Sequence, residues 1–137
     1  MRVTLPIEIA SLIVVMAAFS FATSCGPSER ADVDSDVRRN SFSYNGEFAS
    51  AWGEETFAWP VSGGRALLSW EGTNVGAGEF VLAVLDAEDE QVYFGRAVGP
   101  PPAAETSAWG TAGEWRLEIS YRRLEGIVSV AGSAIID

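Results

Sequence analysis

Glu114-Trp115-Arg116-Leu117-Glu118-Ile119-Ser120-Tyr121 alternates polar and apolar side chains without a break. Successive side chains of an extended strand point to opposite faces, so Trp115, Leu117, Ile119 and Tyr121 share one dry face and the other four meet water. Working outward, Ala66 to Glu71 repeats the alternation, with Ala66, Leu68 and Trp70 set against Leu67, Ser69 and Glu71. Phe80 to Leu85 is a short unbroken apolar run, which predicts a strand buried on both faces or central in a sheet. Phe57, Trp59 and Val61 mark a further strand, closed by Ser62-Gly63-Gly64, and Gln91–Val98 and Gly126–Ile136 complete the set. Gly and Pro clusters recur every 8–12 residues or so, the spacing of a sandwich or small barrel. No helical pattern of useful length follows residue 25.

These signals predict an all-β domain over residues 42–137, an antiparallel β-sandwich of about seven strands, immunoglobulin-like or jelly-roll-like. Asn45-Gly46, preceded by Phe42 and Tyr44, is a strong hairpin signal, with a loop of two or three residues. Gly99-Pro100-Pro101-Pro102 through Ala108 is expected to be an extended, exposed connection. Residues 25–41 hold almost no large apolar side chain and are expected to form a flexible tether.

The chain has nineteen acidic residues against nine arginines, no lysine and no histidine, for a net charge of −10. Such a surface is repelled by nucleic-acid phosphates and by anionic lipid. The missing histidine excludes a Ser-His-Asp triad and histidine-ligated zinc, and a single cysteine excludes thiolate clusters within one chain. Neither a nucleic-acid partner nor a cofactor is expected.

The N-terminus carries Arg2, an apolar run from Ile9 to Ala22, and then Phe21-Ala22-Thr23-Ser24-Cys25. This resembles the lipobox signal of bacterial lipoproteins. The resemblance implies a signal peptide over 1–24, cleavage between Ser24 and Cys25, and lipid on the Cys25 sulfur. Gly26 then implies the outer membrane in a Gram-negative cell, and otherwise the outer face of the cytoplasmic membrane. The apolar run is too short for a spanning helix, which needs roughly 20 residues. The pair Gly113–Ile119 and Glu125–Val130 is similar to the closing hairpin of many small exported bacterial sandwich domains.

Candidate site residues are few. Asp86, Glu88, Asp89 and Glu90 crowd one turn, read either as a Ca²⁺ site or as a solvated hairpin turn, with the turn favoured because the spacing does not match an EF-hand. Trp59, Trp70 and Trp115 fall in register with apolar neighbours and are expected in the core. Trp52 and Trp109 both occur as Ala-Trp-Gly in loop-like settings. They either plug the ends of the sandwich, the favoured reading, or form a flat platform for a sugar ring. Glu54, Glu55, Glu118 and Glu125 are carboxylates that no spacing rule brings together. The expected role is a lipid-anchored, non-enzymatic module of the cell envelope that binds protein through sheet edges and the Gly99–Ala108 loop. The alternative is glycan binding through Trp52 and Trp109, and a carboxylate-based hydrolase stands third.

Overall fold

The computed structural model describes residues 30–99 and 102–136, and the signal region with Ser24 and Cys25 lies outside them. Among these residues there is no helix. Six strands run in chain order: β1 (Arg30–Arg38), β2 (Ser41–Val61), β3 (Arg65–Leu85), β4 (Gln91–Ala97), β5 (Glu105–Thr106) and β6 (Gly113–Ile135). Every pairing is antiparallel, in the order β1-β2-β6-β3-β4, with β5 beside β3.

Three of these strands are 21 to 23 residues long. None is straight. Register shifts fall between Phe48 and Gly53 in β2 and between Glu71 and Glu79 in β3, and β6 turns the same corner at Arg123. Extra residues of this kind bend a strand and increase its twist. Each long strand therefore folds back over itself. The Phe42 and Trp59 rings meet at 4.8 Å although seventeen residues separate them along β2, an impossible approach for a straight strand rising about 3.3 Å per residue.

The folded ribbon makes two layers. One holds β1, the first half of β2, the second half of β6, the first half of β3, and β5. The other holds the second half of β2, the first half of β6, the second half of β3, and β4. Strands that wrap across both layers in this order make a jelly roll, and that decides between the two sandwich types expected. The core fills the space between layers. Trp59, Trp115, Phe80, Leu82 and Leu124 are wholly buried, and aromatic pairs join the layers: Tyr44 with Phe80, Phe48 with Tyr121, Phe42 with Trp59. Each large apolar side chain so buried contributes roughly 2–3 kcal/mol.

Three expectations change. Asn45-Gly46 is not a turn: it lies within β2, paired to Asp34 and Val33 on one side and to Ser129 and Val128 on the other. Two flanking ladders outweigh local turn preference, and Gly46 is used for space, since a Cβ there would lie 2.4 Å from the Phe48 ring. The hairpin turn is Arg39-Asn40, where Asn40 has φ 69° and its side-chain oxygen accepts from the Ser62 amide at 2.7 Å. The tether predicted over 25–41 is cut short, because residues 30–38 are strand β1. Backbone pairing to β2 and half-buried Val33 and Val37 suffice to order it despite its polar composition. The closing hairpin is one bent strand, β6, whose halves lie in different layers. Phe80–Leu85 is central in its layer, paired to β6 and β4, the second of the two readings expected; it is buried on one face, with Val81, Ala83 and Leu85 half-exposed on the other.

Candidate functional site

The outer face of the second layer is built from residues of even parity on β2 and β6 and odd parity on β3. Cross-strand pairing sets them in rows. Glu54, Ser120, Val81 and Arg96 make one row, and Thr56, Glu118, Ala83 and Phe94 make the next. The middle strands carry the small side chains Ser120, Val81 and Ala83. Large aromatics stand at the margins, where Trp52 is 54% exposed and Phe94 is 53% exposed. Small residues at the centre and rings at the rim give a shallow trough.

Three depressions follow one another along it. The first, of about 550 Å³, lies against Trp52, Ser120 and Arg122. The second, of about 320 Å³, shares Glu54 and Ser120 with the first and adds Thr56, Val81, Ala83 and Glu118. The third, of about 390 Å³, continues past Thr56 to Ala58 and Arg116. From Trp52 to Ala58 the trough is about 20 Å long, at roughly 3.3 Å per strand residue. Its walls offer hydroxyls, carboxylates and guanidinium groups. Glu118 accepts from Arg116 at 2.9 Å, and Glu79 bridges Arg96 and Arg122 at 2.5 and 3.9 Å.

The carboxylates divide by face. Glu54 and Glu118, which spacing alone could not relate, come together in the trough as diagonal neighbours. Glu55 points between the layers and accepts from the hydroxyls of Tyr44 at 2.7 Å and Tyr121 at 3.3 Å. Burial pushes both phenols above their ordinary range, and the Glu55 carboxylate adds to the effect. Glu125 accepts from Ser50 at the corner.

In the acidic turn, Asp86 is buried and its carboxylate accepts from the amides of Glu88, Glu90 and Thr111 at 2.9, 2.9 and 2.8 Å. Asp89 pairs with Arg116 at 3.0 Å, while Glu88 and Glu90 project into water. Asp86 thus serves as a cap for two backbone segments, which accounts for the turn without a cation.

Trp52 and Trp109 are both exposed, against the reading that they plug the sandwich, while Trp59, Trp70 and Trp115 are buried as expected. The two exposed rings do not form a pair. Trp52 sits at the bent corner, within 6 Å of the Arg122 and Arg123 guanidinium carbons. Trp109 packs beside Gly64 and Arg65 at the opposite, open end. Eight strand residues from Gly53 to Val61 separate these ends, about 26 Å. The Gly99–Ala108 connection is also less free than expected, since Glu105–Thr106 forms β5 and the amides of Ser107 and Ala108 bond to Ala66 and Val92 at 2.8 Å each. Sequence reasoning missed Phe94. The signal was available: Tyr93 and Phe94 are adjacent in a strand, so one of the two had to face outward.

No family model and no curated protein matches this sequence. Among solved structures, the chain is similar to TmCBM61 in complex with beta-1,4-galactotriose, at 11% identity and TM-score 0.39, covering 81% of this chain and 90% of that one. It is also similar to the SPBc2 prophage-derived protein YomS, at 15% identity and TM-score 0.36 over 75% and 92% of the two chains. A structure described as CBM4 structure and function aligns at 12% identity and TM-score 0.36 over 80% and 78%. Likenesses this distant carry no function across.

Proposed function

We propose that the domain is a non-catalytic carbohydrate-binding module that holds a neutral glycan chain in the trough of the second layer. The observation that carries this reading is the pairing of exposed rim aromatics, Trp52 and Phe94, with a floor of small residues and hydroxyls on one rigid sheet. A flat ring stacks on the apolar face of a sugar, and Thr56, Ser120, Glu54 and Glu118 offer hydrogen bonds to its hydroxyls. Three consecutive depressions in one line suit a linear chain. The carboxylates along the wall disfavour a polyanion. Reading the site this way sets protein interaction through the Gly99–Ala108 loop second, because that loop is tied down by hydrogen bonds to β3 and β4.

Titration of the soluble domain with neutral oligosaccharides, followed by tryptophan fluorescence, tests the proposal. Trp52→Ala and Phe94→Ala should each weaken binding about tenfold, as loss of a stacking ring worth about 1–1.5 kcal/mol predicts, while the thermal midpoint stays within a few degrees. Binding that neither substitution alters would remove the trough as the site. Release of reducing ends from the same oligosaccharides would instead assign Glu54 and Glu118 to hydrolysis.

A further inference from the structure

We propose that Trp109 is a second sugar-stacking site, at the open end of the sandwich, which takes a neutral glycan chain other than the one in the trough, so that one domain bridges two chains; this rests on the carbohydrate reading above. Trp109 is the most exposed large apolar side chain among the described residues, at 68%, yet the backbone around it is pinned to both layers. On the side of the first layer, the amides of Ser107 and Gly110 bond to the carbonyls of Ala66 and Gly64 at 2.8 Å each. On the side of the second, the amides of Ala108 and Thr111 bond to the Val92 carbonyl and the Asp86 carboxylate, also at 2.8 Å each. At Gly110 the main chain lies so close to the interior that a Cβ would come within 2.8 Å of Asp86 and Val92. A segment tied down on either side of one residue presents that side chain in a fixed direction. Folding has then already ordered the contact, and binding does not have to.

The ring itself is also held. Its Cε3 edge rests against Gly64, 3.0 Å from where a Cβ would stand, and the Arg65 guanidinium carbon lies 4.2 Å from its centroid. The guanidinium covers one face of the indole and the other is open. A flat aromatic face fixed in one orientation suits the apolar face of a pyranose, as at Trp52. The sugar it takes is neutral: the cation stands behind the ring, out of a stacked sugar's reach, and a net charge of −10 repels a polyanion. Gly64 and Arg65 lead into the first half of β3, in the first layer, whereas the trough lies on the outer face of the second, with Trp52 about 26 Å away. A chain seated in the trough would have to turn over the end of the sandwich to reach Trp109. The ring therefore meets a neighbouring chain. One ring alone holds a sugar weakly. Once the trough has seized one chain of a packed polymer, its neighbours are at high effective concentration, and the weak contact adds retention.

The test compares soluble hexasaccharides with the matching polymers: cellohexaose with cellulose, mannohexaose with mannan, and galactohexaose with galactan. Calorimetric titration with a hexasaccharide reads the trough, and retention on the insoluble polymer reads both sites. Trp109→Ala should leave hexasaccharide affinity within about twofold while retention on the polymer falls about tenfold, the loss of one stacking ring. Trp109→Phe should keep part of that retention. Trp52→Ala should weaken both readings. Light scattering gives the bridging directly: the protein should cross-link dispersed polymer particles, and Trp109→Ala should bind them without cross-linking. Retention and scattering unchanged in Trp109→Ala overturn the proposal. A tenfold loss of hexasaccharide affinity in that variant also overturns it, because ring and trough would then serve one chain. Hexasaccharide binding that survives Trp52→Ala and Phe94→Ala removes the trough instead, and a protein that binds none of these sugars removes the carbohydrate reading and this site with it. Because the Trp109 ring is exposed, the thermal midpoint of Trp109→Ala should stay within a few degrees, so that lost retention is not lost folding.

Discussion

Asp86 is a buried carboxylate whose three amide donors come from two separated backbone segments, the β3–β4 turn and the approach to β6. These bonds, that of Thr111 and then that of Glu90 foremost, hold its carboxyl below the ordinary carboxylate range. As pH falls, the unfolded chain takes up a proton first, near the reference value of about 3.9, so the stability that Asp86 contributes is complete above that pH and drains away as pH drops toward the folded value. Asp86→Ala should cost about 2–3 kcal/mol at neutral pH, because buried amides lose a charged acceptor. Asp86→Asn should flatten the acid limb of a plot of stability against pH. An unchanged limb in that variant would assign acid sensitivity to other carboxylates. The residue scale was also the hardest to read in advance. An acidic cluster looks the same in sequence whether it binds a cation, meets water or caps a backbone, and the decisive partner, Thr111, lies 25 residues away.

At the scale of elements, the corner shared by β2, β3 and β6 makes the fold. It concentrates strained backbone: Ser50 and Arg123 have φ of 48° and 51°, and Gly78 has φ 86°. At Gly78 a side chain is excluded twice, by that angle and by the Arg123 carbonyl, 2.2 Å from where a Cβ would stand. Gly78→Ala should therefore destabilise by more than about 1 kcal/mol, with urea denaturation as the measurement, whereas Gly99→Ala, where a Cβ meets nothing within 4 Å, should cost less. Strand content and the inward residues were legible because alternation is a local signal, as in Trp115 to Tyr121. The bends were not. A continuous β6 and a hairpin share the same alternating halves, and only pairing with both β2 and β3 distinguishes them. Asn45-Gly46 misled for the same reason.

On the scale of the whole molecule, the register of β1 fixes a polarity. Arg30 pairs with Ala49, so the chain enters the domain at the corner, beside Trp52, while Trp109 lies at the far end. If Cys25 carries lipid, as the lipobox resemblance implies, only four residues separate the anchor from β1, a reach of at most about 18 Å. Cys25→Ala should release the protein from membranes into the soluble fraction and abolish labelling by radioactive palmitate; retention with undiminished labelling would dismiss the anchor. On such a short leash the domain would have a ground floor and a roof. With that anchor in place the trough would start near the bilayer and run away from it, so a bound polymer would stand off the surface, and the Trp109 pole would look outward to meet whatever approaches from beyond.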